Sequence, residues 1–246
     1  MNTSESNSMI NCHEIRIDQE YCCNYDLNVY KSPACDSLVT QVKTARHLRF
    51  LEVPVVSEAP AFRICLCDDD YPGWLAASDV PYLTAAAPPY CAQSWTEEAI
   101  QAALPEVIRF TYAAMVQPNV YLWGGTVGPN YDCSGLIQAA FASVGVVLPR
   151  DSYQQEVFVS PIEMADLQPG DLIFFGPRNR ITHVALYLGA GNYIHSSGKE
   201  QGRNGIGIDS ITDLTDPVSQ TYFNQLQGAG RVTRSYHASG KPIQCR

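Results

Sequence analysis

Asp132-Cys133-Ser134-Gly135, approached by Tyr121-Leu122-Trp123-Gly124-Gly125 and followed by the apolar run Leu136-Ile137-Gln138-Ala139-Ala140-Phe141, decides how this chain is read. The pattern places Cys133 at the N-terminus of a helix. Asp132 is a good N-cap, the paired glycines allow close backbone approach, and Gly128-Pro129-Asn130 supplies a turn into the helix. Unpaired backbone N–H groups and the positive end of the helix dipole favour the thiolate there, which can bring a cysteine pKa from about 8.5 to roughly 3.5 to 7.5. A thiolate at neutral pH is a nucleophile. The alternative reading of Cys133 is a buried thiol that serves as a small hydrophobe.

Two strand-like runs downstream carry histidines. Thr182-His183-Val184-Ala185-Leu186-Tyr187-Leu188 and Asn192-Tyr193-Ile194-His195 are joined by Gly189-Ala190-Gly191, a short hairpin connection. His183 begins one strand and His195 ends the next, so both imidazoles lie toward one end of the pair. Beside a helix-borne Cys133, His183 then reads as a base and His195 as the group that orients it. A zinc site of one cysteine and two histidines is the rival, but no Cys-x-x-Cys or His-x-x-x-His spacing supports it, and no metal or other cofactor is expected. Ser134 lacks the Gly-x-Ser-x-Gly elbow of a hydrolase serine, and reads as a capping or substrate-touching residue.

The remainder of the chain divides by composition. Residues 1–20 read as a polar tail. Residues 21–85 hold short β-rich runs, such as Leu27-Asn28-Val29-Tyr30 and Phe62-Arg63-Ile64-Cys65-Leu66, broken by turns at Ser32-Pro33 and Tyr71-Pro72-Gly73; they predict a small β-barrel. Residues 86–94, with Pro88-Pro89, read as a linker, and 95–246 as a second domain. In that domain Ser94 and Glu97 match a capping box, Pro105 starts a second helical stretch, and Gly145 ends the Cys133 helix. Helices come first and an antiparallel sheet afterwards, an α+β layout.

Of 246 residues, 16 are Lys or Arg and 25 are Asp or Glu, with no basic run, which argues against nucleic acid or an anionic membrane as partner. No apolar stretch approaches the roughly 20 residues of a spanning helix, so no membrane insertion is expected. The segment Met1 to Ser8 has neither the basic nor the apolar region of a secretory signal. The nine cysteines, odd in number and irregular in spacing, suit a reducing compartment, and the expected location is cytoplasmic.

These residues resemble the NlpC-type cell-wall cysteine peptidases, a branch of the papain-like superfamily. The likeness runs through Tyr121-x-Trp123-Gly124-Gly125, Asp132-Cys133-Ser134-Gly135, Leu148-Pro149-Arg150, Pro169-Gly170-Asp171, Thr182-His183-Val184-Ala185-Leu186-Tyr187 and Tyr193-Ile194-His195. The first part, with Asp69-Asp70-Tyr71-Pro72-Gly73-Trp74-Leu75, is similar to the bacterial SH3-like barrel that precedes this domain in cyanobacterial-type γ-D-glutamyl-L-diamino acid endopeptidases. The resemblance implies a papain-like domain that hydrolyses the bond between γ-D-glutamate and meso-diaminopimelate or lysine in a peptidoglycan stem peptide, a step of cell-wall recycling. It implies Cys133 as nucleophile, His183 as base and His195 as third member. The Tyr121 hydroxyl and the Cys133 N–H are then candidates for holding the oxyanion, though Tyr121 reads equally as a packed aromatic. The resemblance further maps Asp132, Ser134 and Tyr71 around the free amine of an N-terminal L-Ala, where a buried carboxylate would discriminate against an acylated amine. Capping alone for Asp132, a backbone bond for Ser134 and turn packing for Tyr71 are the plainer readings. Arg150 is read as an exposed surface residue. An amidase or acyltransferase of the same fold, or a non-catalytic peptidoglycan-binding module, are the rival functions.

Overall fold

The computed structural model describes residues 10–52 and 60–244. The chain forms two compact units, one from residues up to 92 together with the stretch from 238, the other from 93 to 237.

In the first unit, β1 (Glu20–Cys23), β2 (Leu27–Tyr30), β3 (Leu38–Val42), β4 (His47–Phe50), β5 (Ala61–Leu66), β6 (Pro72–Ala76) and β7 (Leu83–Ala85) form one sheet in the order β3-β2-β6-β5-β4-β1-β7. Alternation decides what faces inward: Tyr21, Cys23, Leu27, Val29, Leu48 and Phe50 are buried while their neighbours are not. Tyr21, Phe50 and Phe62 meet edge to face, with centroids 5.2 and 5.8 Å apart. At the β5–β6 turn, Arg46 bridges Asp68 and Asp69, and Tyr71 N–H donates to Asp69 Oδ1 at 3.0 Å.

Two boundaries differ from the sequence reading. Residues 10–19, read as part of a tail, contain a turn of 3-10 helix at Cys12–Glu14, closed by a capping box between Asn11 and Glu14, and Ile15 is buried in the core of this unit. One isoleucine without periodicity gave no signal. Residues 238–244, read as the end of the second domain, belong to the first unit: Ser239 N–H donates to Asp70 Oδ2 at 2.5 Å and Ile243 packs on the same core. Residues 1–9 of the expected tail lie outside the described residues.

The second unit is α+β. It runs α1 (Glu97–Met115), α2 (Cys133–Ala142), α3 (Ser152–Phe158), β8 (Ser160–Ile162), β9 (Leu172–Phe175), β10 (His183–Gly189), β11 (Asn192–Ser197), β12 (Gly205–Ser210), α4 (Pro217–Phe223) and β13 (Leu226–Arg231). The six strands are ordered β12-β11-β10-β9-β13-β8 and neighbours in that order pair antiparallel. The expected second helical stretch at Pro105 is absent as a separate element, because α1 runs through it, and its N-cap is Thr96, whose side chain accepts from Ala99 N–H, rather than Ser94. Pro105 removes one backbone bond, and burial of Ile100, Leu104 and Val107 on both sides of it keeps the helix continuous. Gly145, at φ +88°, turns the chain after α2 as expected.

Helix α2 and the sheet share a core of Ile137, Ala140, Phe141, Leu148, Leu172, Phe174, Val184, Leu186 and Ile194. Replacing the fully buried Phe141 by Ala is expected to cost about 3–5 kcal/mol and to lower the melting temperature by on the order of 10 °C. A calorimetric shift of less than about 2 °C would contradict this account of the core.

Candidate active site

The loop before α2 is closed on itself by short backbone contacts. Gly124, at φ +79°, donates its N–H to Asp132 Oδ2 at 2.8 Å, and Asp132 N–H donates to Gly125 carbonyl at 3.1 Å. A Cβ on Gly135 would stand 2.0 Å from the Gly125 carbonyl oxygen, so the first turn of α2 needs glycine there to lie against the loop. Asp132 caps the helix, accepting from Gly135 N–H at 2.7 Å. Cys133 is thereby the first residue of α2, and it is buried.

Arg150, expected on the surface, is 1% exposed. Its guanidinium meets the Asp132 carboxylate edge to edge, Nη1 to Oδ1 at 3.1 Å and Nη2 to Oδ2 at 2.6 Å, and Nη1 also donates to Ser134 Oγ at 2.9 Å. Ser134 Oγ in turn lies 3.3 Å from Asp132 Oδ1. Asp132 is therefore a carboxylate that already meets a cation within its own domain. Nothing local in Leu148-Pro149-Arg150 signals the pair, because the partner lies 18 residues earlier.

On the sheet, the pairing Leu186↔Ile194 continues to set His195 opposite Ala185, two places along β10 from His183, and both imidazoles share a face. His183 Nε2 and His195 Nδ1 are 2.7 Å apart. Strand β11 extends past His195 to Ser197, so the hairpin is longer than expected while the convergence of the two rings is as expected. Asp209 on β12, which the sequence reading missed, accepts from His195 Nε2 at 2.7 Å; it also accepts from Arg203 through Nε at 3.0 Å and through Nη2, and from Ser219 Oγ at 3.2 Å. Tyr222 from α4, also missed, lies over His183 with ring centroids 4.5 Å apart and holds Ser197 Oγ at 2.7 Å through its hydroxyl.

Cys133 packs at the start of β10, where the N–H of Val184, next in chain to His183, favours its ionised sulfur. Burial nevertheless pushes the Cys133 thiol up to about 12, with the Asp132 charge adding to it and the N–H groups of Val184 and Ser134 and the Arg150 charge only partly offsetting it. Burial also holds His183 well below the usual imidazole value, assisted by His195 and opposed by Asp209. Burial thus disfavours both the Cys133 thiolate and the His183 imidazolium, and acts against the ionisation that helix position favours. For Asp209, burial works against ionisation, but the bonds from His195 and Arg203 outweigh it and hold the carboxyl well below its ordinary range. Both ring nitrogens of His195 are taken by protein partners, which leaves it no lone pair for the zinc alternative.

His183, Tyr222, Tyr121 and Trp123 line a cleft of about 500 Å³ that also draws on Lys199 and Asn204. Burial raises the Tyr121 phenol, so it stands in the cleft as a protonated donor. The expected residues Cys133, Asp132, Ser134, Tyr121, His183 and His195 all belong to the second unit. Tyr71 belongs to the first, where its side chain is part of the core.

The model of the NlpC/P60 family matches residues 118–228, the stretch that holds every one of these second-unit residues. Residues 118–228 form an NlpC/P60 domain. Residues 29–80 match the bacterial dipeptidyl-peptidase Sh3 domain, in keeping with the strands of the first unit. A γ-D-glutamyl-L-lysine dipeptidyl-peptidase of Bacillus cereus is 42% identical over 84 residues, 33% of this chain and 25% of that protein. A probable endopeptidase p60 of Listeria seeligeri is 37% identical over 114 residues, 46% of this chain and 20% of its own. The chain thus spans a quarter or less of these curated relatives. Among solved structures, an NlpC/P60 family protein from Bacillus cereus aligns with 87% of this chain and 64% of its own at 24% identity and a TM-score of 0.47. Among the described residues no helix of the NlpC/P60 domain, or of the first unit, is long and apolar enough to cross a membrane.

Two outcomes follow for the NlpC/P60 domain. Arg150→Met is expected to cost about 3–5 kcal/mol in urea denaturation, since it leaves Asp132 buried and unpaired, whereas adding Asp132→Asn restores part of the loss; equal stability of both variants and wild type would refute the pairing. Alkylation of Cys133 by iodoacetamide, followed on its tryptic peptide, is expected to accelerate about tenfold per pH unit from pH 7 to 10. A rate already level at pH 7 would show a preformed thiolate.

Proposed function

We propose that this protein is a cysteine peptidase that hydrolyses the γ-D-glutamyl bond to a diamino acid, meso-diaminopimelate or lysine, in peptidoglycan stem peptides. The observation that carries the reading is a helix-borne cysteine packed against the strand that presents His183, backed by His195 at 2.7 Å, inside an NlpC/P60 domain. The relative named for γ-D-glutamyl-L-lysine dipeptidyl-peptidase activity supports the bond and the diamino acid.

With thiol and imidazole both neutral at rest, the proton leaves sulfur as the bond to carbon forms. His183 Nδ1 takes the Cys133 proton while the sulfur attacks the γ-carbonyl, and the carbonyl electrons move to oxygen, where the Tyr121 hydroxyl and the Cys133 N–H donate to them. The His183 imidazolium then gives its proton to the leaving amine of the diamino acid as the C–N bond breaks, leaving a thioester. Water attacks that thioester with His183 as base, releasing the γ-carboxyl group and restoring the thiol. Transfer of one proton inside a buried site avoids holding two opposite charges there before substrate arrives.

Ser134 Oγ and the Asp132 carboxylate, both held in place by Arg150, are the acceptors this reading assigns to the amine at the L-Ala end of a free stem peptide. A neutral pair discriminates through hydrogen bonds and fit, so the preference for a free amine is weaker than an unpaired carboxylate would give. Free stem peptides released by wall turnover are the substrates this reading favours, which places the reaction in recycling.

Mass spectrometry of L-Ala-γ-D-Glu-meso-diaminopimelate is expected to show the dipeptide and the free diamino acid. Cys133→Ala is expected to slow this by about 10⁴-fold or more, and acetylation of the L-Ala amine by about tenfold. Intact substrate with the wild type, or unchanged cleavage by Cys133→Ala, overturns the assignment; transfer of the acyl group to an added amine in preference to water favours the acyltransferase reading.

A further inference from the structure

We infer that Asp209 is a positioning residue: acting through His195, it fixes which nitrogen of His183 is free to act as base, and Arg203 keeps it in the state that does so. This deepens the peptidase reading above and rests on it for its kinetic consequence.

The inference follows from counting donors along two short contacts. An ionised carboxylate only accepts, and the guanidinium of Arg203, bonded to Asp209 through both Nε and Nη2, holds it ionised. His195 Nε2, at 2.7 Å from Asp209 Oδ2, therefore carries a hydrogen. In neutral His195 this leaves Nδ1 as a lone pair, so the facing His183 Nε2, at 2.7 Å, must be the donor. His183 Nδ1 is then the unprotonated nitrogen. No other neutral arrangement satisfies both contacts. When His183 takes a second proton, the positive charge is next to a neutral ring whose far side meets a carboxylate.

The sheet provides for this arrangement. His195 pairs with Gly207 on β12 and Tyr193 with Asp209, so Asp209 sits diagonally from His195, as His195 does from His183. Gly207 presents no side chain where the imidazole is opposed, and that space is used by Arg203, whose Cδ and Nε would lie 3.1 and 3.2 Å from a Cβ there. Arg203 is also held 3.6 Å from Asp216, the N-cap of α4. The groups facing His183 from the surrounding elements are His195 of β11 and Tyr222 of α4, with Phe175 of β9 closing the apolar side, and Cys133 of α2 packs in the core that holds the next residue, Val184. Tyr193 packs on His195, and Asp209, Arg203 and Asp216 form the charged end of the chain. Tyr222 has its hydroxyl engaged with Ser197 and offers His183 only its ring. Asp209 is thus the acceptor that sets the direction of the chain.

A carboxylate that served only to hold β12 in place would not care which imidazole nitrogen is protonated, and the test uses that difference. The whole protein, labelled with ¹⁵N, is examined by long-range ¹H–¹⁵N NMR at pH 7.5, with kcat and KM measured on the stem tripeptide across pH. In the wild type both histidines are expected as Nε2–H tautomers. In Asp209→Asn the side-chain amide turns its oxygen to Arg203 and its NH₂ to His195 Nε2, which reverses both rings and leaves His183 with Nδ1–H. That variant is expected to lose about 100-fold or more in kcat with KM within about threefold, on the scale of an Asn substitution behind a catalytic histidine. Its acid limb moves down in pH, since the carboxylate no longer favours the imidazolium. Arg203→Met is expected to move that limb up, because it removes a positive charge from the same chain. Opposite displacements by two neighbours are not the mark of a general loss of structure. If Asp209→Asn fails to fold by circular dichroism, Arg203→Met decides, and an unmoved acid limb overturns the inference. It is also overturned by a wild-type His183 with Nδ1–H, or by tautomers and kcat unchanged in Asp209→Asn. A wild type that cleaves no stem peptide removes the peptidase reading, while the tautomer spectra still decide the role of Asp209.

Discussion

The Asp132 carboxylate is the joint on which the second unit's chemistry is assembled. Its two oxygens close the Gly124 turn, cap α2 and meet Arg150, so one buried group fixes where the loop ends, where the helix begins and how the two approach. Burying either charge alone would be unfavourable by several kcal/mol, and burying both with every oxygen occupied makes the arrangement self-consistent. Cys133 follows Asp132 directly in sequence, and its place at the head of α2 is a consequence of that joint. Gly135 is part of the same solution, because only a residue without Cβ lets the helix lie against the Gly125 carbonyl.

The position of a cysteine at a helix start and its ionisation are separate matters in this protein. Helix N–H groups favour the thiolate, yet Cys133 is enclosed on the other sides and has Asp132 as its neighbour, and burial prevails. The same enclosure disfavours the imidazolium of His183. Both effects act in one direction, toward the neutral pair from which the proposed reaction starts. A resting ion pair would need charged groups of opposite sign near each partner. Here the Asp209 carboxylate stands behind His195 rather than against His183, and the Arg150 cation that acts on Cys133 is already committed to Asp132.

What was legible in the sequence was local. Asp132 before Cys133, the Gly124-Gly125 approach and the Gly189-Ala190-Gly191 turn each carry their signal within a few residues, and the helix and hairpin stand where those signals put them. What was not legible depends on partners distant in sequence. Arg150 looks like any surface arginine until Asp132 is brought to it, and Asp209 lies in Gly205-Ile206-Gly207-Ile208-Asp209, a strand whose alternation is too weak to announce which face is inward. Pro105 misled for the opposite reason: a strong local rule was outweighed by apolar contacts on both sides of it. Residues 10–19 read as tail by their polarity and 238–244 as a continuation of the second domain, yet Ile15 and Ile243 each attach a short stretch to the first unit's core.

The relay from Asp209 to His183 shows why the missed residue matters as much as the ones that were seen. Three consecutive strands, β12, β11 and β10, each contribute one polar side chain at a diagonal step, and the antiparallel register alone brings those chains onto one face. A shift of one residue in either pairing would turn a member of the relay to the opposite face, so the apolar register that buries Leu186 and Ile194 also orders the proton path. Packing energy and proton direction are then specified by the same set of strand contacts. In the proposed reaction the choice of one His183 nitrogen needs no flexible loop, because it follows from the register of three paired strands.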